Sequence, residues 1–370
     1  MSGENKVIRL TVMGKATIDA TINGDVQIQD DRITITSKDV AAKFEIMDPP
    51  VRHGYKHTVN QDQLGLAETI GGLEHVLRPA GGGYNSITSL RNISELGAGL
   101  ELFYLDMSNP SLLIAQGLAG HNIEYYFFNS CYVPTNVIIG GGKDKIILKG
   151  SELNRSQVVL TADYKQKIFD SINSSDGVLI NGARDRSFAE EILRSSQKRN
   201  TPIYFAITKS LEPDFVFYQM LPNCVGLLNY EDIITLFGGN PLKHDVHENM
   251  ETALSLMEKI RTDRISPNKN MYVTLGEHGV YCSDGPKSIS HVRLNEEYKE
   301  KINEKALENP RSTTGAGDVF AAAVLYHEIT AKGRRDIIGI AKEASCAAVR
   351  HIGYNGKIPD EAFIIQRLQS

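Results

Sequence analysis

Ser312-Thr313-Thr314-Gly315-Ala316-Gly317-Asp318-Val319-Phe320 places three small residues between a hydroxyl-rich stretch and a single carboxylate, and an apolar helical run follows from Phe320 to Leu325. Glycine lets a backbone turn tightly and bring its N–H groups close to a ligand. The first turn of a helix leaves N–H donors unpaired and carries the positive end of the helix dipole, so the segment suits an anion. Asp318 sits where that anion would be. A carboxylate beside a phosphate is electrostatically unfavourable unless it has a task, and the natural task is to take a proton from an alcohol that attacks phosphorus. The plainer reading has Ser312 or Thr313 capping the helix and Asp318 favouring its first turn. It accounts for the hydroxyl and the carboxylate but leaves Gly315-Ala316-Gly317 unexplained.

The surrounding chain sets bounds on this reading. Its 370 residues, 41% hydrophobic and 23% charged, are enough for one large α/β domain with an appendage. No apolar run approaches the ~20 residues of a membrane span. Met1 to Asn5 is polar and lacks a signal-peptide core, so a cytoplasmic location is expected. Cys131, Cys224, Cys282 and Cys346 are far apart and form no C-x-x-C pair, which points to buried free thiols. The formal net charge of −5 argues against general nucleic-acid binding, although local N–H donors can still hold a nucleotide.

Patterning gives two regimes. Val7 to Met13 predicts a buried first strand ended by Gly14, and Ile33, Ile35, Phe44 and Ile46 predict strands between Asp30 and Ile46. Asp48-Pro49-Pro50 stops them, and a polar irregular stretch follows to about Gln63. Helices are predicted over Asn85–Glu95, with Gly97 at its end, and from Pro110 to near Gly120. Strands are predicted over Leu102–Leu105 and Ile123–Phe128, and Thr135–Ile139 and Lys145–Leu148 flank Gly140-Gly141-Gly142 as a hairpin. After Gly150, strands over Gly177–Asn181, Ile203–Ile207, Val225–Leu228, Met271–Leu275 and Val280–Cys282 mix with helices over Ser187–Lys198, Tyr230–Phe237 and Glu248–Arg261. Such alternation predicts a parallel sheet with helices on both faces. Leu294 to Pro310 reads as a charged exposed insertion, and the C-terminus as helical over Arg335–Arg350 and Asp360–Leu368.

The Asp318 segment, continued through Ala321, Ala322, Val324 and Leu325, resembles the second signature of the ribokinase-like (PfkB) carbohydrate and nucleoside kinases. The resemblance implies that Gly315, Ala316 and Gly317 form an anion hole for the transferring phosphoryl group and that Asp318 is the catalytic base. It implies an α/β fold: a ribokinase-like three-layer α/β/α core with a mostly parallel sheet over residues 1–370, plus a small β lid. The lid strands are expected within 15–60 and 123–150. In that family the lid covers the substrate and often forms a dimer interface, so a homodimer through the lid is expected. ATP and Mg²⁺ are the implied cofactors, with a monovalent cation common among members.

Further positions follow the same resemblance. Ala80-Gly81-Gly82-Gly83-Tyr84-Asn85 is similar to the first half of the family's N-terminal signature, which implies close backbone approach to the acceptor at Gly81 and Gly82 and a hydroxyl contact from Asn85. It departs from the pattern at Ile87, where the family prefers a small residue, and in the longer spacing to Gly97. Asp19 stands where the family has a hydroxyl-binding carboxylate; on its residues alone it reads as a solvated turn Asp. Asn229-Tyr230-Glu231-Asp232 is similar to an Asn-x-x-Glu motif whose acid organises Mg²⁺-bound water, with Asp232 one methylene shorter. Thr274, Gly276 and Gly279, in a turn between two strands, and Thr314 are the implied ATP contacts.

Other patterns carry less. Gly140-Gly141-Gly142-Lys143-Asp144 is no Walker A loop, because no Ser or Thr follows the Lys. His53-Gly54-Tyr55-Lys56-His57 lacks the Glu of a zinc protease helix and reads as exposed loop, and His244 and His247 read as surface. Arg184 and Arg186 could serve a phosphorylated acceptor or be ordinary loop arginines. The expectation is therefore ATP-dependent phosphoryl transfer to a hydroxyl of a small sugar. A nucleoside (adenosine-like) kinase of the same fold is the near alternative, and a catalytically silent metabolite-binding protein is the alternative of another class.

Overall fold

Period-two alternation along the strands sorts the core into two faces. Leu10, Val12 and Leu179 pack on one side of the central sheet with Phe320, Val324, Ile340 and Ala344. Met13, Val178 and Ile180 pack on the other side with Ile168, Ile192, Ile233 and Met257. A sheet buried on both faces by helices is the arrangement that parallel strands require. The computed structural model describes residues 7–22, 25–29, 32–37, 40–47, 56–59, 76–95, 100–106, 112–119, 123–127, 135–139, 146–150, 161–181, 186–197, 199–206, 223–262, 270–285, 288–294, 315–331, 336–352 and 368–369.

In chain order the elements are β1 (Ile8–Gly14), β2 (Thr17–Ile22), β3 (Asp25–Gln29), β4 (Arg32–Ser37), β5 (Val40–Glu45), β6 (Lys56–Val59), β7 (Val76–Ala80), α1 (Gly82–Glu95), β8 (Leu100–Asp106), α2 (Leu112–Leu118), β9 (Ile123–Phe127), β10 (Thr135–Ile139) and β11 (Ile146–Gly150). There follow α3 (Ala162–Ser174), β12 (Gly177–Asn181), α4 (Arg186–Gln197), β13 (Ile203–Ala206), β14 (Cys224–Asn229), α5 (Tyr230–Leu236), α6 (Val246–Thr262), β15 (Met271–Thr274), β16 (Val280–Ser283), β17 (Ile289–Leu294), α7 (Ala316–Thr330), α8 (Ile337–Ile352) and the short β18 (Leu368–Gln369).

The central sheet has ten strands in the order β18-β17-β16-β15-β14-β13-β12-β1-β8-β9. Strands β9 through β15 of this order are parallel, and β16, β17 and β18 are antiparallel additions. From β1 the chain goes outward to β8 and β9, then returns to β12 on the other flank of β1 and continues away. The order therefore reverses between β1 and β12. Helix α1 lies on one face and α4 on the other, so a crevice opens beyond the carboxyl ends of these two strands. The residues at that edge are in register: Gly14 pairs with Asn181 and Asp106, and Asn181 with Ala206.

A second sheet, β6-β11-β10-β2-β7, leaves the core at Lys15-Ala16 and returns through Gly81 into α1. A three-stranded meander, β3-β4-β5, is inserted after β2. The β10–β11 pair is the antiparallel hairpin read from the glycine run, whereas β9 joins the edge of the central sheet. Two readings are corrected here. Asp19 lies within β2, paired with Asn136 and Arg78, rather than in a turn past the first strand. His57 is 1% exposed on β6, so the stretch read as exposed loop contains a buried strand. Leu368 lies in β18, and the helix expected over 360–368 otherwise falls outside the described residues.

Helix α7 is apolar all round because it is enclosed: Val319 through Leu325 are all buried. It packs between α1 and α8 and against β12 and β13. Near its other end Glu328 accepts hydrogen bonds from the buried hydroxyls of Tyr204 at 3.1 Å and Tyr272 at 2.8 Å, which ties the helix to β13 and β15. The start of α7 is thereby held over the carboxyl end of the sheet.

Candidate active site

Asp318 lies in the first turn of α7, and its carboxylate is held from two sides. Asn85 Nδ2 donates to Oδ2 at 2.8 Å, and Asn181 Nδ2 donates to Oδ1 at 3.0 Å. Asn181 Nδ2 also donates to Ser86 Oγ at 2.8 Å, and Ser86 Oγ donates to the Asp318 backbone carbonyl at 3.2 Å. Three elements meet here. Helix α1 supplies Asn85 and Ser86, the end of β12 supplies Asn181, and α7 supplies Asp318 itself. Glycine makes the approach possible: a Cβ on Gly82 would overlap the Asn181 carboxamide. The β1 and β8 ends close the floor. Asp106, fully buried, accepts the Ala16 N–H at 3.3 Å, and the Tyr104 phenol is held well above its ordinary pKa, first by burial and then by the nearby Asp106 charge.

The turn into α7 is built on glycine. Gly315 is its N-cap, in the left-handed region at φ 87°, and among the described residues no side chain caps the helix. An L side chain at Gly315 would be strained, and its Cβ would stand 2.9 Å from Asn85 Nδ2 and 3.4 Å from His351 Nε2. Ala316 is half-buried, whereas Gly317 is exposed, with no atom of the described residues within 4 Å of where a Cβ would be. The backbone N–H groups of this first turn, at the positive end of the helix dipole, thus lie beside a carboxylate held by two amides.

The other expected residues stand further along the same sheet edge. Asn229 Oδ1 accepts the Asp232 N–H at 2.7 Å and caps α5. Thr274 Oγ1 donates to the Leu228 carbonyl at 3.3 Å, and Thr274 pairs with Asn229. Gly276 (φ 61°) faces open space, while Gly279 (φ 100°) is required because a Cβ would run into the Val292 carbonyl. Asn229 lies two strand spacings from the end of β12, and Thr274 three, about 14 Å. Gly81 (φ 92°) sets the entry to α1 against Lys15 and Thr17. The side chain of Asp19, together with Thr314, Arg184 and the side chain of Arg186, lies outside the described residues.

Metal binding has limited protein support. Among the described residues no group of three or more His, Cys, Asp and Glu could hold an ion. Asp232, expected to act on Mg²⁺ through water, is 6% exposed. Sequence reading passed over Asn181 and Ser86. Asn181 ends an otherwise apolar strand, and a polar residue at the carboxyl end of a parallel strand was the available signal.

No curated protein sequence matches the chain. The family model described as pfkB family carbohydrate kinase matches residues 229–361. Among solved structures, adenosine kinase from Schistosoma mansoni in complex with 2-fluoroadenosine superposes with a TM-score of 0.65 at 12% identity, covering 96% of this chain and 98% of that one. Ribokinase from Cryptococcus neoformans in complex with ADP gives 0.60 at 14% identity, covering 97% and 99%. Ribokinase from Arabidopsis thaliana complexed with ribose and ATP gives 0.57 at 13% identity, covering 98% of each. These likenesses carry the fold over nearly the whole chain, and no helix among the described residues is long and apolar enough to cross a membrane. The pfkB family carbohydrate kinase model thus matches residues 229–361, and around that stretch the chain has the three-layer α/β fold of the ribokinase and adenosine kinase structures.

Proposed function

We propose that this protein transfers the γ-phosphoryl group of ATP to a hydroxyl of a small sugar. The observation that supports this best is Asp318: a carboxylate held at both oxygens, beside an uncapped helix start with an open glycine. The acceptor hydroxyl lies against Asp318, which takes its proton as the new O–P bond forms and the bond from the γ-phosphorus to the bridging oxygen breaks, releasing ADP. The Gly315, Ala316 and Gly317 N–H groups stabilise charge on the moving phosphoryl group. Mg²⁺, when bound with the nucleotide, neutralises phosphate charge, and Asp232 acts on it through water. The nucleotide extends along the sheet edge to Thr274, Gly276 and Gly279, with Thr314 beside its phosphates. Gly81, Gly82 and Asp19 face the acceptor, and Asn85 exchanges its bond to Asp318 for an acceptor hydroxyl. The second sheet serves as the lid that excludes water, and two copies pair through it.

The test is ADP release with Mg-ATP against a panel of sugars, sugar phosphates and nucleosides. Turnover on a sugar is expected, with kcat lowered by ~10² or more in Asp318→Asn while ATP still binds. Turnover on nucleosides alone would move the acceptor to that class. Binding without turnover anywhere would replace the kinase with a metabolite sensor, and near-normal turnover of Asp318→Asn would remove Asp318 as the base.

A further inference from the structure

We infer that Asn181 is the positioning residue that keeps Asp318 ionised and aimed, whichever acceptor is bound; its kinetic consequence rests on the kinase reading above. A carboxylate can only accept hydrogen bonds, so the carboxamide end facing Asp318 Oδ1 at 3.0 Å is the donor Nδ2. The second proton of that nitrogen goes to Ser86 Oγ at 2.8 Å. Ser86 Oγ in turn donates to the Asp318 backbone carbonyl. The loop from Asn181 through Ser86 thus returns to the main chain of the residue whose side chain Asn181 holds. Both the backbone and the carboxylate of Asp318 are fixed to one carboxamide.

Asn85 and Asn181 are not equivalent. Asn85 is only half-buried, so an arriving hydroxyl can compete for it. Asn181 is 3% exposed, sits in register between Gly14 and Ala206, and has the backbone of Gly82 against its carboxamide. No ligand can displace it. When Asn85 turns to a substrate, Asn181 is a donor that stays on the base. A donor to the charged form favours that form, so removing it makes the carboxylate hold its proton to higher pH.

The test uses the ¹³C-carboxyl titration of Asp318 in the full chain, its resonance identified with Asp318→Asn, alongside the pH profile of kcat. Asn181→Ala is expected to move the titration midpoint up by about one pH unit, the scale of one charge-assisted hydrogen bond. The acid limb of kcat should move up by the same amount while KM for ATP stays level. Asn181→Asp keeps the shape of the side chain and serves if the alanine variant does not fold. There two facing carboxylates share a proton, and the shift is expected to be larger than in the alanine variant. An unchanged midpoint in a folded variant would overturn the inference, because a merely structural Asn181 alters stability and not titration. Shifted midpoints with no turnover on any acceptor would sink the kinase reading and keep the role of Asn181. Turnover with an unshifted midpoint would do the reverse.

Discussion

Gly317→Ala separates folding from function at this site. Gly317 is in the first turn of α7, is exposed, and has no atom within 4 Å of where a methyl group would go. The substitution meets no neighbour in the free protein. It removes the extra freedom glycine has in the unfolded chain and improves helix propensity, so stability should rise by about 0.5 kcal/mol, the lower end of the Gly-to-Ala range. The methyl group points toward the helix N-terminus, because Cα–Cβ bonds tilt that way. That is where a phosphoryl oxygen bound to the Gly317 N–H would lie, at ~2.9 Å from the nitrogen. The oxygen and the methyl carbon cannot both occupy the space, so the oxygen must retreat from the donor. Deleting one such donor outright costs about 10²–10³ in kcat, and displacing it should cost at least about tenfold. Urea denaturation midpoints and steady-state kinetics with ATP read both effects. A variant that is more stable and fully active would show that the phosphoryl group does not lie over Gly317. A destabilised variant would show that the space beside it is not open.

Gly315→Ala should behave oppositely. Its left-handed φ of 87° costs an L residue about 1–2 kcal/mol, and the new Cβ pushes on Asn85 Nδ2, so the denaturation midpoint and kcat should fall together; an unchanged midpoint would contradict the turn geometry. Alkaline stability tests the buried phenols. Tyr272 is pushed well above its usual pKa by burial and then by Glu328, and Tyr104 by burial and then by Asp106. The unfolded chain loses these protons near pH ~10 while the folded chain keeps them. Stability should therefore be level below that pH and fall as pH rises above it, less steeply in Tyr272→Phe. Equal alkaline slopes in the two proteins would refute the assignment.

The buried parallel strands were legible because their residues are apolar in themselves: Gly177–Asn181, Cys224–Asn229 and Met271–Thr274 announce a two-sided core wherever they sit. The second sheet was much less so. Its strand Lys56–Val59 carries Lys, His and Thr, and His57 is buried only because other strands close over it. Pro79 demotes Val76–Ala80 as a strand, and the position is tolerated because β7 is an edge strand with no further neighbour in its sheet. Helix α3 passed unread for a different reason: its 13 residues bury only Ile168, Ser171 and Ile172, too narrow an apolar stripe to stand out.

The sequence by itself determined the glycine turn into α7 and the carboxylate in its first turn. The left-handed turn at Gly315 and the helix start at Ala316 need only residues adjacent in the chain, and small residues followed by an apolar run suffice to encode them. Tertiary structure alone decided what holds Asp318. Its two amide donors lie 233 and 137 residues away, on a helix start and a strand end. They meet because strand order reverses between β1 and β12 and because Gly82 lets α1 approach the Asn181 carboxamide. Strand order is set by the packing of the whole sheet, and no local stretch of residues records it.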